Sequence, residues 1–317
     1  MVRSSIYRAL SICKALVTRK PLALCDIGDL DGLTCAVLFK MKYREGVLVL
    51  ASPSDVKNSR ILRAVEWTFV ADLPCPGKAV LRADHHATNT PCARQEFYDP
   101  RAPAAAVLAL KALGLEDFKQ AERLVKLAVE TDTAKIESNE ALALNDAVKG
   151  AGYRGKLRLA EMLSTMELEK VLSNGEVKKW IERYSKVRLA TEKLASELPD
   201  VEHFVAVFEK NMQISYRYLS ILIERKGAKF TAIIVPRSFS MIRVYLGSSD
   251  QAYDVSMLAG KLGGGGHPFA AGASIRGYPV SKMIRKVLKE IAAFTGQKEL
   301  NVYMIGGQGF RLTLFTP

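Results

Sequence analysis

Short apolar runs alternate with helical stretches in the first part of the chain. Runs typical of β-strands occur at 22–25, 47–51, 68–71 and 78–82. Apolar positions at helical spacing predict a helix over 5–19 and another over 33–43, and helix-like segments separate most of the strands. This alternation predicts an α/β domain built on a mostly parallel sheet with helices on both faces.

The pattern then changes to helices and returns to alternation. Helices are predicted over 102–113, 117–130, 157–172 and, as a long connector with an apolar stripe, 177–198. Beyond Pro199 the predicted strands are 204–208, 232–235, 242–246 and 273–275, the predicted helices 212–226, 254–262 and 280–294, and the tail a hairpin over 300–315. The expected parts are a first domain at 1–176, a helical connector at 177–200 and a smaller α/β domain at 201–317.

Composition sets limits on environment and partners. The chain of 317 residues is 49% hydrophobic, which allows two domains with cores of their own, yet no apolar run reaches the roughly 18 residues of a membrane span. The cysteines, an odd number without a CxxC pair, predict reduced thiols and a cytoplasmic location; they are Cys13, Cys25, Cys35, Cys75 and Cys92. A net charge of +13 favours a polyanionic partner such as nucleic acid or nucleotides.

Acidic residues follow the predicted strands of the first domain. The first strand leads into Asp26, Asp29 and Asp31, the third ends at Asp72, and the fourth ends at Asp84-His85-His86. The carboxyl ends of parallel strands share one edge of a sheet, which is where ligands bind on such folds. We therefore expect these side chains to lie close together.

The residue types at this edge are metal ligands. Four carboxylates, counting Asp132 after the helix 117–130, and the imidazole of His85 have the composition of a two-metal site for phosphoryl transfer. Oxygen-rich ligands suit manganese or magnesium better than zinc. Two ordinary explanations stay open: Asp31 can cap the helix 33–43, and the histidines can be solvated residues at a strand end.

A run of four glycines, Gly263 to Gly266, precedes His267. Consecutive backbone N–H groups without side chains can wrap an anion or let a base approach closely. A helix stop followed by a loop is the alternative, although it explains one glycine better than four.

These motifs together resemble the DHH phosphoesterase family. Asp29-Leu30-Asp31-Gly32, Asp72, Asp84-His85-His86 and Asp132 follow the order of the four motifs of that family, and residues 263–272 resemble the glycine-histidine motif of the DHH-associated C-terminal domain. The resemblance spans about residues 21–290. Within the family it is strongest for two-domain members: oligoribonucleases of the nanoRNase type, phosphatases of 3′-phosphoadenosine 5′-phosphate, and dinucleotide phosphodiesterases.

The resemblance implies roles by position. Two divalent ions, manganese or magnesium, would be held by Asp29, Asp31, Asp72, His85 and Asp132, with Asp72 bridging them. Asp84 would orient a histidine, and His86 would lie near the scissile phosphate. The substrate's far phosphate or base would be held by Gly264, Gly265, Gly266 and His267.

Two departures from the family pattern bear on these roles. Relatives place a histidine or aspartate ahead of the paired acids, and the candidate here is Asp26. Relatives also often carry an arginine in the strand before the glycine motif, a place occupied here by Gly247 and Ser248, so Ser248 becomes the candidate substrate contact.

The resulting hypothesis is a metal-dependent phosphoesterase that hydrolyses short single-stranded RNA or DNA by a two-metal mechanism. The alternatives are a small-nucleotide phosphatase or a phosphodiesterase of linear or cyclic dinucleotides, and a non-catalytic scaffold that binds nucleic acid. A homodimer is a further expectation, and no membrane partner is expected.

Overall fold

The computed structural model describes residues 2–307 and 309–317. Two compact units divide the chain, Met1–Ser185 and Lys186–Pro317. Within the described residues, no helix is both long enough and apolar enough to cross a bilayer.

The first unit contains five strands and nine complete helices among its described residues. The strands are β1 Leu22–Asp26, β2 Val47–Ala51, β3 Glu66–Ala71, β4 Lys78–Asp84 and β5 Ala93–Tyr98. The helices are α1 Val2–Thr18, α2 Leu30–Lys42, α3 Pro53–Asn58, α4 Arg60–Ala64, α5 Ala105–Leu113, α6 Lys119–Asp132, α7 Asn139–Gly150, α8 Tyr153–Thr165 and α9 Leu168–Ser173. The division between the units falls within the next helix, α10 Gly175–Glu197.

All strands of the first unit are parallel, in the order β2-β1-β3-β4-β5. Alternate residues of β1 and of β2 enter different cores: Ala23 and Cys25 of β1 pack with α2, α5 and α6, whereas Leu22 and Leu24 pack with Ile12 of α1. Helices therefore cover both faces of the sheet, as the continuous apolar runs predict. The expected fold class is confirmed.

The second unit is a mixed sheet with helices. Its strands are β6 His203–Phe208, β7 Phe230–Ser238, β8 Met241–Ser248, β9 Gly265–His267, β10 Ala270–Arg276, β11 Leu300–Gly306 and β12 Gly309–Phe315. Its complete helices are α11 Tyr216–Arg225, α12 Val255–Lys261 and α13 Val280–Thr295. The strand order is β12-β11-β6-β7-β8-β10-β9. Part of the predicted hairpin turn, Gln308, lies outside the described residues.

Several boundaries differ from the sequence prediction. The helix predicted to begin at residue 33 begins at Leu30 as α2, and the predicted helix 157–172 is two helices, α8 and α9. Strand β5 and helix α7 were not predicted. The residues of β5 are all half-buried or exposed, so this edge strand lacks the apolar run by which buried strands are recognised.

The prediction of reduced thiols is wrong for two cysteines. Cys75 and Cys92 form a disulfide, with their Cα atoms 5.9 Å apart. Cys75 lies in the connection that runs from the end of β3 back to the start of β4, and Cys92 directly precedes β5. Because β4 and β5 are parallel neighbours, they begin at the same edge of the sheet, and the returning connection brings the two cysteines together there. They are 17 positions apart in sequence, a spacing that matches no recognisable motif.

Candidate metal centre

The turn from the end of β1 into α2 presents three carboxylates within six residues, Asp26, Asp29 and Asp31. Asp29 caps helix α2, with its side chain accepting a hydrogen bond of 3.2 Å from the N–H of Gly32. A Cβ on Gly32 would lie 2.6 Å from the carbonyl oxygen of Asp26, so only glycine allows the helix to start this close to the strand. Asp26 ends β1, and one of its oxygens accepts the N–H of Gly28 at 2.5 Å.

Asp31 does not cap its own helix, contrary to the ordinary explanation considered for it. Its carboxylate is 1% exposed and accepts the N–H groups of Ala105 and Ala106 at 2.7 and 2.8 Å. These are the first residues of α5, so a helix N-terminus distant in sequence stabilises this buried negative charge.

Asp72 follows β3 in a backbone conformation that is uncommon for a residue with a side chain. Its φ is +58°, in the left-handed region, and its N–H donates to the carbonyl of Ala83 at 3.0 Å. Non-glycine residues in this region cost energy and cluster at functional sites. The conformation turns the chain at the sheet edge and leaves a buried carboxylate there.

The histidines of the Asp84-His85-His86 segment have different partners. The Nδ1 atom of His85 lies 3.1 Å from the carbonyl oxygen of Ala102, an arrangement in which Nδ1 carries the proton and Nε2 keeps its lone pair. That Nε2 atom lies between 3.6 and 3.9 Å from carboxylate oxygens of Asp31, Asp72 and Asp132. An unprotonated Nε2 among carboxylates is the arrangement of a histidine ligand.

His86 is held by Asp84 instead. Its Nδ1 lies 2.9 Å from Oδ1 of Asp84, which is fully buried at the end of β4. The other oxygen of Asp84 accepts hydrogen bonds from Arg82 at 2.5 Å and from Asn89 at 2.8 Å. Asp84 is thus occupied by positioning contacts, although it lies one residue from His85.

Three groups of potential ligands converge at this edge. In each group the ligand atoms lie within 4.8 Å of one another. The first group is Asp26, Asp29 and Asp72, the second is Asp31, His85 and Asp132, and the third is Asp72, His85 and His86. Asp72 and His85 each belong to two groups, so the groups overlap. All six acids and imidazoles proposed as ligands from sequence are brought together here.

The acids repel one another and are poorly hydrated. Burial, and then the charge of Asp29, raises the pKa of Asp26 from its ordinary 3.8 to about 7. The same two causes raise the pKa of Asp132 to about 6. The pKa values of Asp31 and Asp72 are raised as well, chiefly by burial and then by neighbouring carboxylates. A bound cation would relieve this repulsion.

The donor set fits divalent metal ions. One oxygen of Asp26, Oδ1, is buried and has no hydrogen-bond partner among the described residues. Buried carboxylate oxygens normally have one, so an unpartnered oxygen beside two further carboxylates suits a metal ligand. Carboxylates with one imidazole are the donors that manganese and magnesium take.

Sequence reasoning missed the basic residues behind the site. Arg82 is fully buried; it contacts Asp84, reaches Glu96 at 3.1 Å and donates to the carbonyl of Leu73 at 3.1 Å. A charged residue inside the apolar run 79–83 was the available signal. Lys156 of α8 donates a hydrogen bond to the carbonyl of Ile27. Burial lowers the pKa of Lys156, and the negative charges of Asp26 and Asp29 partly oppose that lowering.

The glycine segment of the second unit is a strand and a tight turn rather than an open loop. A Cβ on Gly264 would lie 2.1 Å from the carbonyl oxygen of Gly272, whereas one on Gly265 would meet no neighbour within 4 Å. Gly266 has a φ of +148°. Gly265 to His267 form β9, paired with β10, and His267 is half-buried.

Ser248 is occupied within its own unit. Its side chain is 3% exposed, and its hydroxyl donates toward the carbonyls of Lys229 and Asp250 at 3.0 and 2.7 Å. Basic side chains instead lie on nearby tyrosines: Arg243 is 5.4 Å from the ring centre of Tyr245, and Arg237 donates to the Tyr245 hydroxyl at 2.8 Å. Both contacts are made to Tyr245, two residues before Gly247.

Comparison with known proteins gives a domain match and structural similarities. Residues 200–297 match the model of the DHHA1 domain. No match was found among curated protein sequences. The fold is similar to that of the pGpG-specific phosphodiesterase PggH from Vibrio cholerae, at a TM-score of 0.63 and 19% identity over 87% of this chain and 100% of that chain.

Two further solved structures share the fold. RecJ from Thermus thermophilus, in complex with Mn²⁺, aligns at a TM-score of 0.58 and 14% identity over 94% of this chain but only 55% of the RecJ chain. The DHH domain of PF0399, described as a member of the s1p family of ribosomal proteins, aligns at 0.50 and 18% identity over 92% of this chain and 89% of that chain. The resemblance to DHH phosphoesterases with a DHHA1 domain is confirmed.

Proposed function

We propose that this protein is a metal-dependent phosphoesterase that hydrolyses phosphodiester bonds of short RNA or DNA. The observation that carries the proposal is the convergence of Asp26, Asp29, Asp31, Asp72, His85 and Asp132 into overlapping ligand groups at one sheet edge. Similar folds belong to a pGpG-specific phosphodiesterase and to RecJ, which is described in complex with Mn²⁺, and both support a metal-dependent reaction of this class.

The ligands would bind two divalent ions, manganese or magnesium, through two groups that share the edge. Asp26 and Asp29 would serve one ion, Asp31 and Asp132 with His85 the other, and Asp72 would contact both. When bound, such ions activate water as a nucleophile and neutralise charge on the reacting phosphoryl group.

The other residues act on position and charge. Asp84 accepts a hydrogen bond from Nδ1–H of His86, which leaves Nε2 of His86 as the atom proposed to face the substrate. Burial alone would lower the pKa of His86, but the hydrogen bond and charge of Asp84 outweigh it and raise that pKa. We propose that His86, in its protonated form, donates a hydrogen bond to the scissile phosphate.

Gly264 to Gly266 and His267 of the second unit are the proposed contacts for the remainder of the substrate. The open position of Gly265 leaves its backbone accessible to a phosphate or base. A net charge of +13 favours oligonucleotides over mononucleotides, because a mononucleotide needs only a local basic patch. The second candidate, a dinucleotide phosphodiesterase, is supported by the similarity to PggH along the whole of that chain.

The test is turnover of 5′-labelled RNA and DNA from two to about ten nucleotides, with manganese, magnesium or chelator. Asp72→Asn keeps size and tolerates the left-handed backbone, so it should remove activity without unfolding the chain. The matched control is Asp117→Asn at an exposed acid, which should leave turnover unchanged. The length profile separates oligonucleotide trimming from dinucleotide cleavage.

Binding of these ladders without metal-dependent turnover at any length would contradict the nuclease proposal. Release of phosphate from 3′-phosphoadenosine 5′-phosphate would then support a phosphatase. Absence of both activities, with nucleic-acid binding retained, would support the scaffold.

A further inference from the structure

Strand β12 forms an outer edge of the sheet in the second unit. It pairs with β11 along its full length, from Gly309 beside Gly306 to Phe315 beside Leu300. Among the described residues, no strand pairs with its other side. Alternate backbone N–H and C=O groups of an edge strand point away from its only neighbour, and they form a template for another strand.

One face of this edge strand is apolar and exposed. Phe310, Leu312 and Leu314 are 41, 57 and 57% exposed, respectively. They occupy alternate positions and therefore the same face, where the ring centre of Phe310 lies 5.8 Å from that of Tyr303. Natural edge strands are commonly protected by lysine, proline or a bulge. β12 contains no lysine, proline or bulge along its length, and its charged residue, Arg311, lies on the opposite face.

We propose that β12 is the interface of a homodimer, in which two copies of this strand pair antiparallel about a two-fold axis through Leu312. This register places Leu312 beside its own symmetry copy and Phe310 beside Leu314 of the partner subunit. On the opposite face it places Arg311 beside Thr313 of the partner subunit. All three exposed apolar side chains then meet apolar side chains, and no like charges face each other.

Neighbouring registers are less favourable. An axis through Arg311 would place two guanidinium groups side by side, and directly opposed like charges destabilise a strand pair. An axis through Thr313 would leave Phe310 opposite a threonine, Thr316 of the partner subunit. The sequence of β12 is thus self-complementary in one register, which favours a second copy of this chain over an unrelated strand as the occupant.

The strand lies outside the range matched to the DHHA1 domain, which ends at residue 297. The proposal is therefore independent of the glycine motif and of the proposed reaction. A pair of seven-residue strands is smaller than the surface of a standard stable complex, so the dimer should dissociate on dilution through the micromolar range.

The decisive experiment is site-specific disulfide formation in the full chain. Directly opposite residues of an antiparallel pair have Cα atoms about 4.5–5.5 Å apart, within the range that a disulfide spans. In a Cys13→Ser background, which removes the exposed native thiol, Leu312→Cys should cross-link with itself on mild oxidation. Phe310→Cys and Leu314→Cys should cross-link only when the two variants are mixed. Thr313→Cys, on the opposite face, is the matched control and should stay monomeric.

Sedimentation velocity over a concentration series supplies the second readout. Leu312→Lys should raise the dimer dissociation constant about tenfold or more, because it places two ammonium groups at the axis, while Thr313→Lys should change it little. Both positions are exposed, so the melting temperature should stay near that of the parent. Cross-linking of Leu312→Cys no faster than Thr313→Cys, a monomer at all concentrations, or a dimer insensitive to Leu312→Lys would each overturn the proposal.

Discussion

Arg82→Met should be among the most destabilising single substitutions in the first unit. The guanidinium is fully buried and contacts the carboxylate of Asp84 at 2.5 Å, also fully buried, and that of Glu96 at 3.1 Å. Methionine fills similar volume without charge. The substitution therefore removes the buried guanidinium from Asp84, whose contacts with His86 and Asn89 remain.

The expected cost follows from burial. Removing one partner of a buried ion pair typically costs about 3–5 kcal/mol, because the remaining charge is desolvated and uncompensated. Arg94→Met is the matched control, since Arg94 contacts Glu66 at 2.6 Å but both side chains are largely exposed, at 70 and 48%. An exposed pair contributes about 0–1 kcal/mol. The two arginines lie on adjacent strands, so the comparison isolates burial.

The assay is urea unfolding monitored by tryptophan fluorescence. Both tryptophans of the chain, Trp67 and Trp180, lie buried in the first unit, so the signal reports that unit alone. Combining Arg82→Met with Asp84→Asn removes both charges and should recover part of the loss. A cost for Arg82→Met below about 1 kcal/mol, equal to that of Arg94→Met, would refute the reasoning that Arg82 compensates a buried charge.

Three further predictions concern metal, glycine and disulfide. Without metal, the free energy of unfolding should fall as pH rises from about 4 to about 7. The pKa of Asp26 is about 7 in the folded state against an ordinary 3.8, so the folded state binds more protons than the unfolded state in that interval. Thermal melts should show this loss of stability, and added Mn²⁺ should remove the pH dependence. Gly264→Ala should lower the melting temperature through its clash with the backbone of β10, whereas Gly265→Ala should leave the melt unchanged and reduce only turnover; equal melting temperatures would contradict the close approach. Replacing Cys75 and Cys92 by serine should lower the free energy of unfolding of the first unit, measured in urea, by about 3 kcal/mol, the value expected for a loop of this length. A dithiol reductant should have the same effect on the parent protein and none on the variant.

Sequence patterns predicted the fold correctly where buried strands produce continuous apolar runs. The parallel strands β1 to β4 are covered on both faces, so they appear as continuous apolar runs that end in acids. The acids fall at one edge because parallel strands share their direction. The order of the motifs along the chain was therefore enough to propose one set of metal ligands from the sequence.

Features that depend on distant partners were not predictable in this way. The backbone N–H groups that stabilise Asp31 belong to Ala105 and Ala106, more than 70 residues away in sequence. No local sequence pattern predicts these hydrogen bonds. Strand β5 pairs with β4 but is half solvated, and the disulfide between Cys75 and Cys92 depends on the connection after β3 returning to the edge of the sheet where β5 begins. These contacts are set by sheet order, which periodicity does not encode.

The charge distribution of the protein makes bound metal ions decisive for the proposed function. The proposed site concentrates carboxylates at one edge of a chain whose net charge is +13. A phosphodiester anion would be repelled by Asp26, Asp29 and Asp72 unless cations lie between them, so the same acids that would bind metal exclude an anionic substrate in its absence. Basic surface charge would bring a polyanion to the protein in either case, because it acts on association rather than on chemistry. Binding of short oligonucleotides that tightens on adding Mn²⁺, and loses that tightening in Asp72→Asn, would separate a metal-dependent site from a scaffold that binds through surface charge alone.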